Sequence, residues 1–267
     1  MDLGGLRVRR MGFGARWIAN AGSDEAHALL RRALELGVDF IDTADLYGGG
    51  WSERLIAEAL HPYPEGLVIA TKGGQMPIEG GAVPNGRPEY LRSACEASLE
   101  RLRLECIDLY QIHCPDPEVP VEESLGALTE LRAEGKVREI GLSNFFAHLL
   151  DAALACADVV SVQNLYNVFE RISDHEIGIC EGRGLAFLPW HPLARGDVDG
   201  RDGELERIAA GHGATPAQVA LAWLLHRSPA MLLIPGTTSP EHLEENVAAA
   251  ALRLGDDELR RLDGLSG

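Results

Sequence analysis

The chain has few of the residues that staple a fold or grip a polyanion. Its five cysteines, Cys95, Cys106, Cys114, Cys156 and Cys180, stand far apart with no C-x-x-C pair. Free thiols in a reducing cytoplasm fit that spacing better than a disulfide framework. Basic residues are scarce: 24 Lys and Arg face 41 Asp and Glu, for a net charge of −17. Duplex DNA and anionic membrane surfaces would be repelled on average, so an anionic ligand would need a local positive site. No apolar run approaches the roughly 18 residues of a membrane span. Met1 to Arg10 has no apolar core of a signal segment. Solenoid-type repeats, linkers and low-complexity tracts are all missing. These absences point to a cytoplasmic protein with neither nucleic-acid nor membrane partners, read as a single domain over 1–267.

What is present alternates. The 267 residues come close to the roughly 250 of one (β/α)8 barrel. An apolar strand pattern over Val8–Gly14 is followed by a helix from Ser23 whose apolar positions Ala26, Leu29, Leu30, Ala33, Leu34 and Leu36 recur at helical spacing. Gly37 ends it. Strand and helix patterns then alternate: Val38–Ile41 and Ser52–Leu60; Leu67–Thr71 and Pro88–Leu104; Ile107–Ile112 and Val121–Glu134; Val137–Leu142 and Ala147–Ala155. Val159–Gln163 and Asp174–Glu181 follow, then Leu185–Trp190 with helices at Glu204–Ala210 and Pro216–Leu225. Met231–Ile234 with Pro240–Ala251 completes eight pairs, and Asp256–Leu262 adds a terminal helix. The Gly- and Pro-rich stretch Gly73–Pro88 is the longest expected loop. Eight such pairs predict an α/β fold, a single-domain (β/α)8 TIM barrel with a short N-terminal segment and an extra C-terminal helix. Gly12-x-Gly14 is no dinucleotide fingerprint, because Trp17 stands where the third glycine would be.

Three of the strand patterns end in titratable residues. Val38–Ile41 opens into Asp42, with Tyr47 five residues on; Leu67–Thr71 ends at Lys72; Ile107–Ile112 ends at His113. In a parallel barrel these ends share one face, where active sites lie. A phenol ordinarily has a pKa of about 10, and a nearby cation would stabilise its phenolate. Chance ion pairs at loop starts are the bland alternative. Asp45 reads as a turn residue bonded to its own backbone, and Tyr110 as core.

Asp42-Thr43-Ala44-Asp45-Leu46-Tyr47-Gly48 with Ser52-Glu53, then Ala70-Thr71-Lys72 and Asp108-Leu109-Tyr110-Gln111-Ile112-His113, resembles the aldo-keto reductase superfamily. Gly141-Leu142-Ser143-Asn144, Ser161-Val162-Gln163-Asn164 and Ile234-Pro235-Gly236-Thr237 extend the likeness over nearly the whole chain. The resemblance implies a catalytic tetrad of Asp42, Tyr47, Lys72 and His113. In it Tyr47 donates a proton, Lys72 paired with Asp42 supports that donation, and His113 orients a carbonyl. The reaction implied is reversible NAD(P)H-dependent reduction of an aldehyde or ketone to an alcohol. Ser143, Asn144 and Gln163 match carboxamide-binding positions for the nicotinamide, and Trp190 matches an aromatic ring against its face. His191 either faces the substrate or forms the rim. Leu193 and Arg195, with Gly236, Thr237 and Ser239, would hold the phosphates. Ser239 as N-cap and Pro240 at the first helical position would put a helix N-terminus in that loop. Glu245 and Asn246 match an adenine-contacting pair.

The chain also departs from the pattern. Many NADPH-preferring members carry Lys where this chain has Gly236 and Arg where it has His242. NADPH is still favoured, through Thr237, Ser239 and a protonated His242, with NADH as the alternative. The loop between Gly14 and Ser23 is short, and the chain ends soon after the terminal helix. A pocket open on one side and broad specificity for small aldehydes are therefore expected, a pyridoxal-type aldehyde among them. The same fold also serves as a nicotinamide-binding sensor in potassium-channel β subunits, so a regulatory module with little turnover is the alternative function. A metal-dependent hydrolase is disfavoured, since His113 has no H-x-H or carboxylate companion. The partners expected are a small carbonyl substrate and, at most, weak homo-oligomerisation of a monomer.

Overall fold

The structure, a computed structural model, describes residues 1–196, 198 and 203–265. A hairpin, β1 (Asp2–Leu3) and β2 (Leu6–Arg7), turns at Gly4 and Gly5. Then come β3 (Phe13–Gly14), α1 (Ser23–Glu35), β4 (Phe40–Asp42), α2 (Trp51–Leu60) and β5 (Val68–Gly73). A second hairpin, β6 (Gln75–Ile78) and β7 (Gly81–Pro84), precedes α3 (Pro88–Leu102). The chain continues through β8 (Ile107–Ile112), α4 (Val121–Ala133), β9 (Val137–Ser143), α5 (Ala147–Cys156), β10 (Val159–Leu165) and α6 (Asp174–Arg183). Last are β11 (Ala186–Trp190), α7 (Glu204–His212), α8 (Pro216–Arg227), α9 (Pro240–Ala248) and α10 (Asp256–Asp263).

Seven parallel strands form one sheet in the order β11-β10-β9-β8-β5-β4-β3. Residues 230–235 close it into a barrel. Leu232 N–H donates to Phe187 O and Leu233 N–H to Arg10 O, while Gly12 N–H donates to Leu233 O. The expected eighth strand over Met231–Ile234 is therefore present as two parallel bridges, Phe187 to Met231 and Met11 to Leu233, and not as a regular strand. Pro229 and Pro235 flank it and have no N–H to give a ladder. The first strand likewise shortens from Val8–Gly14 to Phe13–Gly14 plus the Met11 bridge. The Gly73–Pro88 loop is partly ordered as the β6–β7 hairpin.

Strand alternation sorts the interior. Phe40, Val68, Ala70, Leu109, Ala186, Leu188, Leu232 and Ile234 form one buried cluster with Leu3, Leu6 and Val8 of the N-terminal segment. These are every-second residues, so they line the lumen, and the N-terminal segment plugs its lower end. The intervening residues Ile41, Ile69, Tyr110, Ile112, Val162 and Phe187 pack outward against the helices. Tyr110 is fully buried, as expected for core, and its hydroxyl occupies the space a Cβ on Gly73 would need, 2.0 Å away. The same period of two carries the lumen face up to Asp42, Lys72, Gln111, His113, Ser143, Gln163 and Trp190 at the C-terminal mouth.

Candidate active site

Asp42 ends β4, and its carboxylate is almost wholly buried. One oxygen accepts from Lys72 Nζ at 2.6 Å; the other accepts from Gln111 Nε2 at 3.1 Å and Gln163 Nε2 at 2.9 Å. Lys72, fully buried on β5, spends its remaining donors on Thr43 O at 2.9 Å and Tyr47 Oη at 3.4 Å. Burial works against the ammonium, but the Asp42 carboxylate and then Tyr47 outweigh it and hold Lys72 above its ordinary value. The lysine is thus a fixed cation aimed at one phenol. His113 follows β8, and its ring meets that of Tyr47 edge-on, centroids 5.9 Å apart. Burial, then Lys72 and Arg16, pushes the His113 imidazole down to about 3. It is neutral at physiological pH, and its buried Nδ1 has no hydrogen-bond partner among the described residues. The structure brings all four tetrad positions together.

The Tyr47 turn is held from behind. Glu53, fully buried on α2, accepts from Arg101 Nε at 2.6 Å and from Thr71 Oγ1 at 2.6 Å, tying α2 to the strand that carries Lys72. Asp45 N–H donates to Lys72 O at 3.1 Å. The Asp45 carboxylate does bond local backbone, at Leu46, but its Oδ1 is buried without a partner. Burial first, and the Glu53 charge second, push this carboxyl up to about 7.

Beyond the tetrad the expected carboxamide-binding positions are linked to one another. Asn144 N–H donates to Gln163 O at 2.9 Å, Asn144 Nδ2 donates to Ser143 Oγ at 3.1 Å and His113 O at 2.9 Å, and Trp190 Nε1 donates to Asn144 Oδ1 at 3.0 Å. The His191 ring packs edge-on against Trp190. Apart from Arg103, every non-glycine residue with left-handed φ among the described residues falls in the two loops after β9 and β11: Asn144, Ala147, His191, Ala194 and Arg195. Such backbone persists only where its surroundings over-determine it. Here Glu176 of α6, itself buried, accepts from Ala147 N–H at 2.8 Å.

At the far side, Ser239 caps α9, its Oγ accepting from His242 N–H at 3.2 Å, with Pro240 at the first helical position as expected. Leu193 is half-buried, Arg195 and His242 are exposed, and on α9 Glu245 is half-buried and Asn246 buried. Arg195 has no carboxylate partner among the described residues. Gly236 and Gly14 come close across the barrel seam: a Cβ on Gly236 would stand 2.6 Å from Gly14 O, and one on Gly14 would stand 2.4 Å from Ile234 O. The lysine expected of NADPH-preferring relatives at position 236 has no room to leave the backbone. An open groove of about 760 Å³, lined by Trp17, Asn20, Glu25, Thr237, Thr238 and Pro240, adjoins this loop. Such a groove, running to a capped helix N-terminus at Pro240, suits a long phosphorylated cofactor.

Two contributors went unassigned in the sequence. Gln111 lies two residues before His113 on the same strand face, so its place was readable; its bond to Asp42 was not. Arg16 sits in the turn after β3, and no pattern marks it.

Residues 10–266 match the Aldo/keto reductase family. The chain is 40% identical to pyridoxine 4-dehydrogenase of Escherichia coli over 99% of its own length and 97% of that protein's. A thermostable aldo-keto reductase crystallised with the inhibitor epalrestat superposes with a TM-score of 0.90 at 33% identity, covering 99% and 98% of the two chains. An aldo-keto reductase from Klebsiella pneumoniae in complex with NADPH gives 0.84 at 28% identity, covering 97% and 91%.

Proposed function

The chain belongs to the aldo/keto reductase family of oxidoreductases, and from that premise we propose that it reduces an aldehyde or ketone to an alcohol as a single domain, taking NADPH ahead of NADH. The observation that carries this reading is the Asp42–Lys72–Tyr47 chain, 2.6 Å and 3.4 Å between successive polar atoms. Bound NADPH supplies the hydride, which no side chain can provide. Ser143, Asn144, Gln163 and Trp190 would hold its nicotinamide, and Arg195, Thr237 and the N-terminus of α9 its phosphates.

The protein's own part is the proton. As the carbonyl carbon is reduced, its oxygen gains charge and takes the proton from Tyr47 Oη. The phenolate left behind faces the Lys72 ammonium, which is already desolvated and cannot swing away because Asp42 and Thr43 fix it. Neutral His113 offers an N–H to the carbonyl oxygen without competing as the acid. A charge held ready in a dry site needs no reorganisation during the reaction. The substrate reading extends to small aldehydes of the pyridoxal type, supported by the likeness to pyridoxine 4-dehydrogenase.

The test is a panel of carbonyl compounds assayed with both reduced cofactors, together with single-turnover oxidation of bound NADPH by a reactive aldehyde. Turnover supports the reading. Tight NADPH binding with no oxidation by any aldehyde would replace it with the sensor role.

A further inference from the structure

About half of the described arginines and lysines at the surface of this acidic chain pair with a carboxylate. Arg16 does not, and its position matters. Its guanidinium carbon lies 5.8 Å from the centroid of the Tyr47 ring and 5.3 Å from that of Trp17. Among the described residues it has no ion-pair partner and no hydrogen-bond acceptor. It is near enough to both His113 and His191 to help hold each imidazole neutral, after burial and after Lys72 and Arg195 respectively. A cation therefore sits at the mouth of the barrel, over the Tyr47 ring and beside two neutral histidines.

Held beside two aromatic rings, this guanidinium keeps N–H donors that meet no acceptor among the described residues, and such a fork can grip an anion in two-pronged fashion. Arg195 and the N-terminus of α9, on loops from other strands, would hold the cofactor's phosphates. We infer that Arg16 is a specificity-determining residue that selects carbonyl substrates bearing a carboxylate or phosphate near the reacting carbon. This rests on the carbonyl reduction proposed above and narrows its substrate class. Recognition by a flat cation beside the proton donor fixes both ends of the substrate at once: the anion at Arg16, the carbonyl at Tyr47 and His113.

The test compares para-carboxybenzaldehyde and para-formylphenyl phosphate with the uncharged methyl ester of the former. The readout is the ratio of kcat/KM for charged over uncharged substrate in wild type, Arg16→Gln and Arg16→Lys. The wild type is expected to prefer the anions by about tenfold or more, equal to about 1.4 kcal/mol. In Arg16→Gln the ratio should fall to about one, and Arg16→Lys should keep part of it. Whichever anion shows the larger preference identifies the group recognised. Binding gives a second readout: the Kd of para-carboxybenzyl alcohol for the NADP-loaded protein should rise about tenfold in Arg16→Gln. Equal ratios in wild type and Arg16→Gln overturn the inference, as does a weaker NADPH Kd in that variant with the ratio unchanged. Absence of turnover with all three aldehydes would sink the proposed reduction, while the alcohol titration would still decide the role of Arg16.

Discussion

Lys72 Nζ lies 2.6 Å from Asp42 Oδ2, with both side chains withdrawn from solvent. Burying two charges is costly, and such a pair is weak evidence for stability in itself. Its use here is geometric. Lys72 cannot leave the Tyr47 hydroxyl without abandoning Asp42 inside the barrel. Asp42→Asn should therefore cost about 3–5 kcal/mol in denaturant unfolding, because it leaves an uncompensated ammonium. The double variant Asp42→Asn with Lys72→Met should recover most of that stability and none of the activity. A double variant as unstable as the single one would show that packing, not charge, is at stake.

Tyr47→Phe removes one oxygen and little else. NADPH affinity, read by fluorescence titration, should stay within a factor of two or so. The rate should drop by about 10²- to 10⁴-fold, the usual contribution of a placed acid. A variant with near-normal turnover would remove Tyr47 from that role.

Asp45 and His113 should tilt the stability curve in opposite directions. An unfolded aspartate ionises near a pH of about 4, whereas Asp45 in the fold keeps its proton up to about 7. Between those values the native state holds the extra proton, so this contribution to stability falls as pH rises and levels off above it. Asp45→Asn should raise the melting temperature at pH 8 by a few degrees and show a smaller gain, or none, at pH 5. His113 is pushed down from 6.5 to about 3, so the unfolded chain takes up a proton first, and stability falls as pH drops through that window. His113→Gln should remove that slope. Melting curves of the two variants against wild type from pH 4 to 8 separate the contributions.

Ser239 caps α9 beside the groove lined by Thr237 and Thr238. Ser239→Ala should destabilise the protein by about 0.5–2 kcal/mol, as a lost N-cap does. It should also weaken NADPH more than NADH if the additional phosphate lies at this loop. Dissociation constants for both cofactors in both proteins check it; equal loss for the two would place the extra phosphate elsewhere.

Much of the site could be read from sequence because a buried parallel strand announces its end. Apolar runs stopping at Asp42, Lys72 and His113 put three of the four tetrad positions on the C-terminal rim. Tyr47 and the nicotinamide-side residues came from family likeness, not periodicity. What stayed hidden depends on neighbours distant in the chain. Gln111 reaches Asp42 only because the strand register sets it opposite Lys72. The eighth strand reads as four apolar residues, but the prolines on either side limit how many ladder bonds it can make. The N-terminal hairpin is too short to show a period. Arg16 lies in a turn, where no alternation says which way a side chain goes, and only the finished barrel sets it over Tyr47 and Trp17.

The near-touching backbones of Gly14 and Gly236 bear on how this enzyme could be re-engineered. A lysine at position 236, expected of NADPH-preferring members, would not add a grip on the cofactor here; it would force the first and last staves of the barrel apart. Any retuning of cofactor choice, in the laboratory or by natural drift, has to begin farther along, at exposed His242, where a longer side chain can grow outward into water.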